Sequence, residues 1–200
     1  QDFLASYKGY TLLAAFDVGS LEEAKKFGTV LLAEDGSSVT GFEEKPSQPK
    51  TTLASTGCSI IPASLLNVVQ DYAAQHPDHI GGIFEEFLRR GVKIECFHFT
   101  EPWFDIGSFD TYVGATKALV GAKTLQADDA TFEESQAYGS NVIGRRSHIS
   151  QSSLTDSVIF DDCEIVDCVL DHCVIDNGCR LRGVDLTRKM IRAGTNLRRA

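Results

Sequence analysis

Short apolar runs that end at glycine or charged residues divide the first part of the chain into strands. The clearest run extends from Thr11 to Phe16, between Gly9 and Asp17, and it predicts a buried strand. Asp35-Gly36 is typical of a hairpin turn, because glycine adopts a positive φ at little cost. The pattern predicts strands near residues 11–16, 29–33, 38–42, 53–61 and 93–99.

Apolar residues at helical spacing lie between these strands. Ser20 followed by Glu23 predicts an N-cap and a capping box for a short helix that ends near Lys26. Apolar positions 65, 66, 68, 69 and 72, and then 83, 84, 87 and 88, predict two amphipathic faces. A last helix is predicted from about Phe109 to Val120.

The alternation of strands and helices predicts an α/β sheet over residues 1–121. Only two or three strands are available for a parallel arrangement beside the hairpin, so we expect an uncovered sheet edge and interpret the set as half of a sheet. Residues 122–140 show no clear period and carry Asp128, Asp129, Glu133 and Glu134, and we predict a linker there.

From Asn141 onward, aliphatic residues are repeatedly followed by a small residue four positions later. The pattern Ile143-x-x-x-Ser147-x-Ile149 returns from Ile159 and again from Ile175. Such a hexapeptide pattern is typical of a parallel β-helix, in which the aliphatic side chains point inward and small residues allow the corners. We predict three or so coils over residues 141–200, with an ordinary antiparallel sheet as the alternative.

Composition excludes several classes of protein. Hydrophobic residues make up 42% of the chain and charged residues 24%, which is typical of a globular protein. The 19 Lys and Arg stand against 28 Asp and Glu, and the net charge of −9 argues against non-specific binding of nucleic acid or anionic membranes. The six cysteines contain no C-x-x-C pair, which predicts buried, reduced thiols and a cytoplasmic protein.

Two short segments carry the candidate chemistry. In Phe42-Glu43-Glu44-Lys45-Pro46, the proline biases Lys45 toward an extended backbone. A held ammonium beside a carboxylate suits a sugar phosphate, and a surface ion pair in a turn is the alternative. In the segment from Trp103 to Ser108, Asp105 lies among apolar residues and needs a cation or hydrogen-bond donors. It is either a metal ligand or, like Ser108, a helix cap.

In this order, and with the repeat behind them, these segments resemble the sugar-1-phosphate nucleotidyltransferases, or NDP-sugar pyrophosphorylases. The resemblance implies a partial, Rossmann-like nucleotidyltransferase sheet domain at residues 1–121, which is the C-terminal half of the family's domain. It also implies that a short left-handed parallel β-helix follows. The matching segments are Lys26 to Val30, Gly41 to Pro46, Leu53 to Cys58 and Trp103 to Ser108.

The resemblance implies roles for single residues at a sugar site. Gly28 corresponds to the glycine whose backbone approaches the sugar, Glu44 to the acid that binds sugar hydroxyls, and Lys45 to the cation on the sugar phosphate. Further residues are expected to line the sugar pocket: Thr56, Gly57 and Trp103.

The implied reaction is attack of a hexose 1-phosphate, of the glucose or mannose class, on the α-phosphorus of a nucleoside triphosphate, which releases pyrophosphate. Asp105 is then one of two aspartates that hold Mg²⁺, and Lys45 and Asp105 are the catalytic residues, expected to converge on one cleft. The family's Gly-rich triphosphate loop is not found, and the chain starts without Met at Gln1. We therefore expect an inactive fragment whose nucleotide site lies mostly in a missing N-terminal half.

Three alternatives stay open at this point. The chain could belong to a non-catalytic regulatory or scaffold homologue, or to an assembly module in which the β-helix is the function. It could also be a hexapeptide acyltransferase, with His148 or His172 as its catalytic histidine. For the nucleotidyltransferase we expect a homo-oligomer formed through the β-helix.

Overall fold

The computed structural model describes residues 2–77 and 79–199, which form two compact units, one up to Trp103 and one from Phe104 onward. None of the helices in these residues is both long and apolar enough to cross a membrane.

The first unit contains four α-helices and five strands. The helices are α1 (Asp2–Ala5), α2 (Leu21–Ala24), α3 (Leu66–Gln75) and α4 (Ile83–Arg89), with 3₁₀ turns at Ala63–Leu65 and Ile80–Gly82. The strands are β1 (Thr11–Asp17), β2 (Gly28–Leu32), β3 (Val39–Glu44), β4 (Leu53–Ile60) and β5 (Ile94–Phe99).

The five strands of the first unit form one mixed sheet in the order β3-β2-β4-β1-β5. β1 and β5 are parallel, whereas β4 runs antiparallel to β1 and β2, and β3 runs antiparallel to β2. The predicted α/β class and the positions of the strands are confirmed. Among the described strands, however, only β1 and β5 form a parallel pair in this sheet.

Helices α3 and α4 cover one face of this sheet. Alternate residues of the strands face them, because successive side chains of a strand point to opposite faces. The buried core therefore combines strand residues such as Leu13 and Ile94 with Phe84 and Phe87 of α4. Ser20 accepts a hydrogen bond from the backbone of Glu23, as predicted, while the Glu23 carboxylate pairs with Lys26 at 2.7 Å.

The second unit is a parallel β-solenoid behind one helix, α5 (Phe109–Val120). Its short strands stack into three parallel sheets of five, five and four strands, so the solenoid has about five turns. The strands are β6 (Thr124–Gln126), β7 (Thr131–Glu133), β8 (Gln136–Tyr138), β9 (Asn141–Ile143), β10 (His148–Ser150), β11 (Ser153–Thr155), β12 (Val158–Ile159), β13 (Glu164–Val166), β14 (Val169–Asp171), β15 (Val174–Ile175), β16 (Arg180–Arg182), β17 (Asp185–Thr187), β18 (Met190–Ile191) and β19 (Asn196–Arg198).

The corners of the solenoid explain its repeat. Ile149, Ile165 and Leu181 stand in register one above the next, sixteen residues apart, and their side chains are buried. At seven corners a buried serine or cysteine follows the turn: Ser147, Ser152, Ser157, Cys163, Cys168, Cys173 and Cys179. The Ser147 hydroxyl accepts a hydrogen bond from the backbone N–H of Cys163 in the next coil at 3.0 Å, which satisfies a buried donor. The predicted parallel β-helix is confirmed, and the antiparallel alternative is wrong.

The structure corrects the prediction of a linker at residues 122–140. β6, β7 and β8 pair in parallel with β9, β10 and β11, so these residues form the first turn of the solenoid. The hydrophobic pattern does not predict this turn, because its inward positions include Ala127, Ala130 and Ala137 in place of large aliphatic residues. It also explains why there are more turns than the three or so that were predicted.

Helix α5 has the predicted bounds but belongs to the second compact unit. Its Val113 packs with Val158 and Val174 on the outside of the solenoid. The predicted end of the first domain at residue 121 therefore differs from the boundary after Trp103 that the packing shows.

Candidate functional site

One edge of the first unit's sheet gathers most of the predicted sugar-site residues. Phe16 of β1 is level with Ala54 of β4 and with Phe99 of β5, and Thr29 of β2 is also level with Ala54. Gly28, which pairs with Glu44 of β3, lies one residue beyond this row. The start of β2 and the ends of β1, β3 and β5 therefore meet at this edge, which carries Gly28, Glu44, Lys45 and the segment leading to Trp103.

The Glu44 carboxylate lies in a space that two glycines leave open. A Cβ atom at Gly28 would stand 2.7 Å from Oε2 of Glu44 and would overlap the Phe42 ring. A Cβ atom at Gly81 would overlap the same carboxylate. The Glu44 backbone N–H donates to Oε1 of Glu85 at 2.9 Å. No hydrogen bond within the described part of the chain uses the Glu44 carboxylate oxygens, which leaves them available for hydroxyl groups.

Lys45 has a left-handed backbone, with φ +46°. This corrects the expectation of an extended residue before Pro46. The Lys45 N–H donates to the carbonyl oxygen of Phe27 at 3.1 Å, and this contact continues the β2–β3 pairing past the strand end. A left-handed backbone outside glycine costs roughly 1–2 kcal/mol, and such strain concentrates at functional sites.

The alternative of a surface ion pair in the turn involves Glu43 and not Lys45. Oε1 of Glu43 binds Nζ of Lys50 at 2.5 Å. None of the ion pairs formed by residues 2–77 and 79–199 includes the exposed Lys45 ammonium. The charge of Lys45 is therefore free to meet an anion.

Thr56 and Gly57 form a bulge in β4. Leu13 pairs with Ser59 and Ala15 pairs with Ser55, so three residues of β4 oppose one residue of β1. Gly57 has φ +77°, and the Thr56 hydroxyl donates to the Ala14 carbonyl oxygen at 3.0 Å. Bulges re-aim side chains and are frequent beside active sites. This bulge starts at Thr56, two residues along β4 from Ala54 in that row.

Trp103 is held against the same edge by aromatic packing. Its ring centroid lies 5.2 Å from that of Phe27 and 5.9 Å from that of Phe16. Phe27 is also the residue whose carbonyl oxygen accepts the Lys45 N–H. Trp103 and Lys45 are thus positioned by one common neighbour.

Asp105 lies in the second compact unit, so its surroundings are described separately. The Ser108 hydroxyl accepts from the N–H of Thr111 at 3.2 Å, and the Thr111 hydroxyl accepts from the N–H of Ser108 at 3.0 Å. Ser108 is therefore the cap of α5. Asp105 is exposed and is part of no ion pair among the described residues. That Lys45 and Asp105 converge on one cleft stays a prediction.

The donor set for a divalent metal is sparse in the described part of the chain. No group of three or more His, Cys, Asp or Glu side chains there is arranged to hold a metal ion. Mg²⁺, however, commonly uses one or two carboxylates together with substrate phosphates and water. A single exposed carboxylate such as Asp105 fits that pattern as one ligand among several.

The two histidines of the solenoid have structural partners. Nδ1 of His148 lies 2.9 Å from the Thr131 hydroxyl oxygen. Nδ1 of His172 lies 2.7 Å from Asp171, and its Nε2 lies 3.0 Å from Nζ of Lys117. These contacts engage both ring nitrogens of His172 and the Nδ1 atom of His148.

Three residues at the sheet edge were not singled out from the sequence. Gly81 lies directly before α4, Glu85 lies within α4, and Asp17 is the last residue of β1. The pKa of Asp17 lies below its usual value because the Thr52 side chain and the Gly19 N–H donate hydrogen bonds to its carboxylate. A Gly-Gly pair directly before a helix at residues 81–82 was the available indication for the first two.

Comparison with known proteins identifies the family. The model of the nucleotidyl transferase family matches residues 2–121, and the chain belongs to this family. A glucose-1-phosphate adenylyltransferase of Thermomicrobium roseum is 35% identical over 103 residues, 49% of this chain and 23% of the relative. One of Desulfitobacterium hafniense is 30% identical over 124 residues, 60% of this chain and 30% of the relative. The chain thus spans less than a third of the length of these curated relatives.

Proposed function

We propose that the protein makes an NDP-sugar and pyrophosphate from a nucleoside triphosphate and a hexose 1-phosphate of the glucose or mannose class. The observation that carries this proposal is the paired arrangement of Glu44 and Lys45. A carboxylate without hydrogen-bond partners in the described residues lies between two glycines, directly beside an ammonium on a left-handed backbone. The family membership and the adenylyltransferase relatives support the same reaction class.

Each group binds a different part of the hexose 1-phosphate. Glu44 accepts hydrogen bonds from sugar hydroxyls, and Gly28 lets the sugar approach the backbone. Lys45 binds the sugar phosphate and offsets its charge while a phosphate oxygen attacks the α-phosphorus. The bond from that phosphorus to the β-phosphate oxygen breaks, and pyrophosphate leaves. Positioning and charge neutralisation supply most of the rate in such transfers. The proposed wall of the pocket consists of Thr56, Gly57 and Trp103.

Within the same proposal, Asp105 supplies one carboxylate to Mg²⁺. The ion, when bound, neutralises phosphate charge. The exposed position of Asp105 and the cap role of Ser108 support this assignment. Substitution Asp105→Asn should weaken Mn²⁺ binding, measured by paramagnetic broadening of the amides near residue 105. Asp110→Asn, in the first turn of α5, is the control that should leave the broadening unchanged.

Titration of the isotope-labelled chain with α-D-glucose 1-phosphate and α-D-mannose 1-phosphate tests the sugar site. We expect weak, saturable shifts at the amides of Gly28, Glu44 and Lys45, and their loss in Lys45→Met. Lys50→Met is the matched control, because Lys50 pairs with Glu43. Shifts that persist in Lys45→Met, or that are absent from the natural chain, would contradict the proposal.

The chain by itself is proposed to be catalytically inactive. The chain matches only 23% and 30% of the length of two adenylyltransferase relatives, and this supports the proposal because most of each relative lies outside the match. An assay of pyrophosphorolysis with NDP-glucose and NDP-mannose should detect no turnover. Turnover by the chain would overturn this part of the proposal and leave the sugar site in place.

A cytoplasmic location is part of the proposal. Five of the six cysteines are buried free thiols, and the sixth, Cys58, is exposed and free. Burial raises the pKa of Cys96 and of Cys163 to about 11, which keeps them protonated and unreactive. Free thiols persist in reducing compartments.

Assembly into homo-oligomers through the solenoid is also proposed. Met190 of β18 is an exposed apolar side chain on the outside of the solenoid, in register with Val174, and exposed apolar surface supports association with a second chain. Light scattering on the chain, compared with a variant Met190→Glu, should show an oligomer only for the natural sequence. Equal masses for the two chains would contradict it.

A further inference from the structure

The backbone of the Glu44–Lys45 dipeptide is held from outside the hairpin that carries it. β3 is an edge strand of the sheet, so a backbone N–H that faces away from β2 has no strand partner. At Glu44 this N–H is bonded by Oε1 of Glu85, 41 positions later in the chain, at 2.9 Å. The helix α4 therefore supplies the missing acceptor at the end of β3.

Two hydrogen bonds from different elements fix consecutive residues. Glu85 binds the N–H of Glu44, and the carbonyl oxygen of Phe27 accepts the N–H of Lys45 at 3.1 Å. Strained backbone persists only where its surroundings over-determine it. The two hydrogen bonds hold the peptide groups before and after the Cα atom of Glu44. They therefore fix the backbone of Glu44 and the peptide plane from which the left-handed Lys45 starts.

The same segment also shapes the space around the Glu44 side chain. Gly81, four residues before Glu85, is the glycine whose missing Cβ leaves room for that carboxylate. The Tyr72 phenol lies close by, within 3.4 Å of Nδ1 of His79. The pKa of Tyr72 is raised by burial and then by the negative charges of Glu85, Glu86 and Glu44.

We propose that Glu85 is a positioning residue for the hexose 1-phosphate site. It touches neither sugar nor phosphate, and it keeps the Glu44 carboxylate and the Lys45 ammonium in the geometry that binds both parts of the ligand. The inference rests on the proposed function for the identity of the ligand. The positioning of the peptide itself is a separate, measurable property of the free chain.

The test compares three substitutions in the same helix. Glu85→Ala removes the acceptor and should weaken the binding of α-D-glucose 1-phosphate about tenfold. Glu85→Gln keeps a carbonyl oxygen that can accept the N–H of Glu44, so it should bind within about threefold of the natural chain. Glu86→Gln is the charge-matched control, because Glu86 binds Arg89 and Arg90 and not the β3 backbone.

Amide hydrogen exchange at Glu44 and Lys45 is measured in parallel without ligand. Glu85→Ala should speed exchange at Glu44 at least tenfold, whereas Glu85→Gln and Glu86→Gln should not. Unchanged exchange at Glu44 in Glu85→Ala, or equal loss of ligand binding in Glu85→Gln and Glu85→Ala, would overturn the inference. If the natural chain binds no hexose 1-phosphate, the proposed function fails, and the exchange data still decide whether Glu85 holds the peptide.

Discussion

The two units place non-glycine residues in left-handed backbone for different reasons. Among the described residues, eight such positions lie in the solenoid and one, Lys45, in the sheet unit. Six of the eight directly precede a buried serine or cysteine, so each makes a corner that lets the next coil stack. Lys45 precedes no buried residue and serves no repeat. The left-handed backbone of the solenoid therefore belongs to its packing, whereas that of Lys45 belongs to the end of a strand that carries the proposed sugar site.

The largest expected effect concerns the stacked core of the solenoid. Ile165 is fully buried between Ile149 and Leu181, so Ile165→Ala should destabilise the second unit by about 2–4 kcal/mol. Leu197, at the terminal coil, is half-buried and has a register neighbour on one side only, and Leu197→Ala should cost about half as much. Urea unfolding followed by amide exchange in β13 measures both. Equal costs would show that stability is not shared between neighbouring coils.

A smaller effect is expected where coils approach through glycine. A Cβ atom at Gly144 would lie 2.6 Å from the carbonyl carbon of Phe160 and 2.8 Å from the nitrogen of Asp161, so Gly144→Ala should cost about 2 kcal/mol. Gly114 of α5 has open space around it, and Gly114→Ala should stabilise by about 0.5–1 kcal/mol through helix propensity. Thermal unfolding measures the stability of both variants. An unchanged stability in Gly144→Ala would contradict the close approach of neighbouring coils at this glycine.

The acid limb of the stability curve should report on Asp156 of the solenoid. Burial opposes its ionisation, but the Ser140 N–H and the Lys117 ammonium outweigh burial and hold the pKa of Asp156 below its usual value of 3.8. Because the folded pKa is the lower one, the contribution is complete above about pH 4 and is lost as the pH falls through the folded pKa. Asp156→Asn should remove about 1 kcal/mol at neutral pH and flatten the acid limb. An unchanged limb would contradict this.

The smallest effect on stability sharpens the comparison of left-handed residues. Lys45→Gly should stabilise the first unit by about 0.5–1 kcal/mol, because glycine adopts a positive φ without strain, while hexose 1-phosphate binding is lost. Gln151→Gly at a solenoid corner, with φ +51°, should give a similar gain without affecting binding. Calorimetry with and without glucose 1-phosphate measures the stability and the ligand binding of both variants. Retained binding in Lys45→Gly would contradict the proposed role of the Lys45 ammonium.

Much of the fold followed from local patterns. The bounds of α5 were predicted to the residue, and the strands of the first unit to within two residues, because apolar runs and the glycine, proline or polar residues beside them mark these elements locally. The first coil was missed because its small inward residues give no hydrophobic period. The conformation of Lys45 was mispredicted because a long-range hydrogen bond to Phe27 outweighs the local bias of Pro46.

The sequence alone determined the repeat of the solenoid, the family resemblance and the candidates Gly28, Glu44 and Lys45, since these depend on short-range spacing and residue type. Only the tertiary structure decided how the residues of the proposed sugar site are held. The Glu85 acceptor lies 41 positions from Glu44, and the glycine at 81 is remote from the carboxylate it accommodates. Contacts between distant segments leave no period in the sequence, because they depend on how the strands and helices pack.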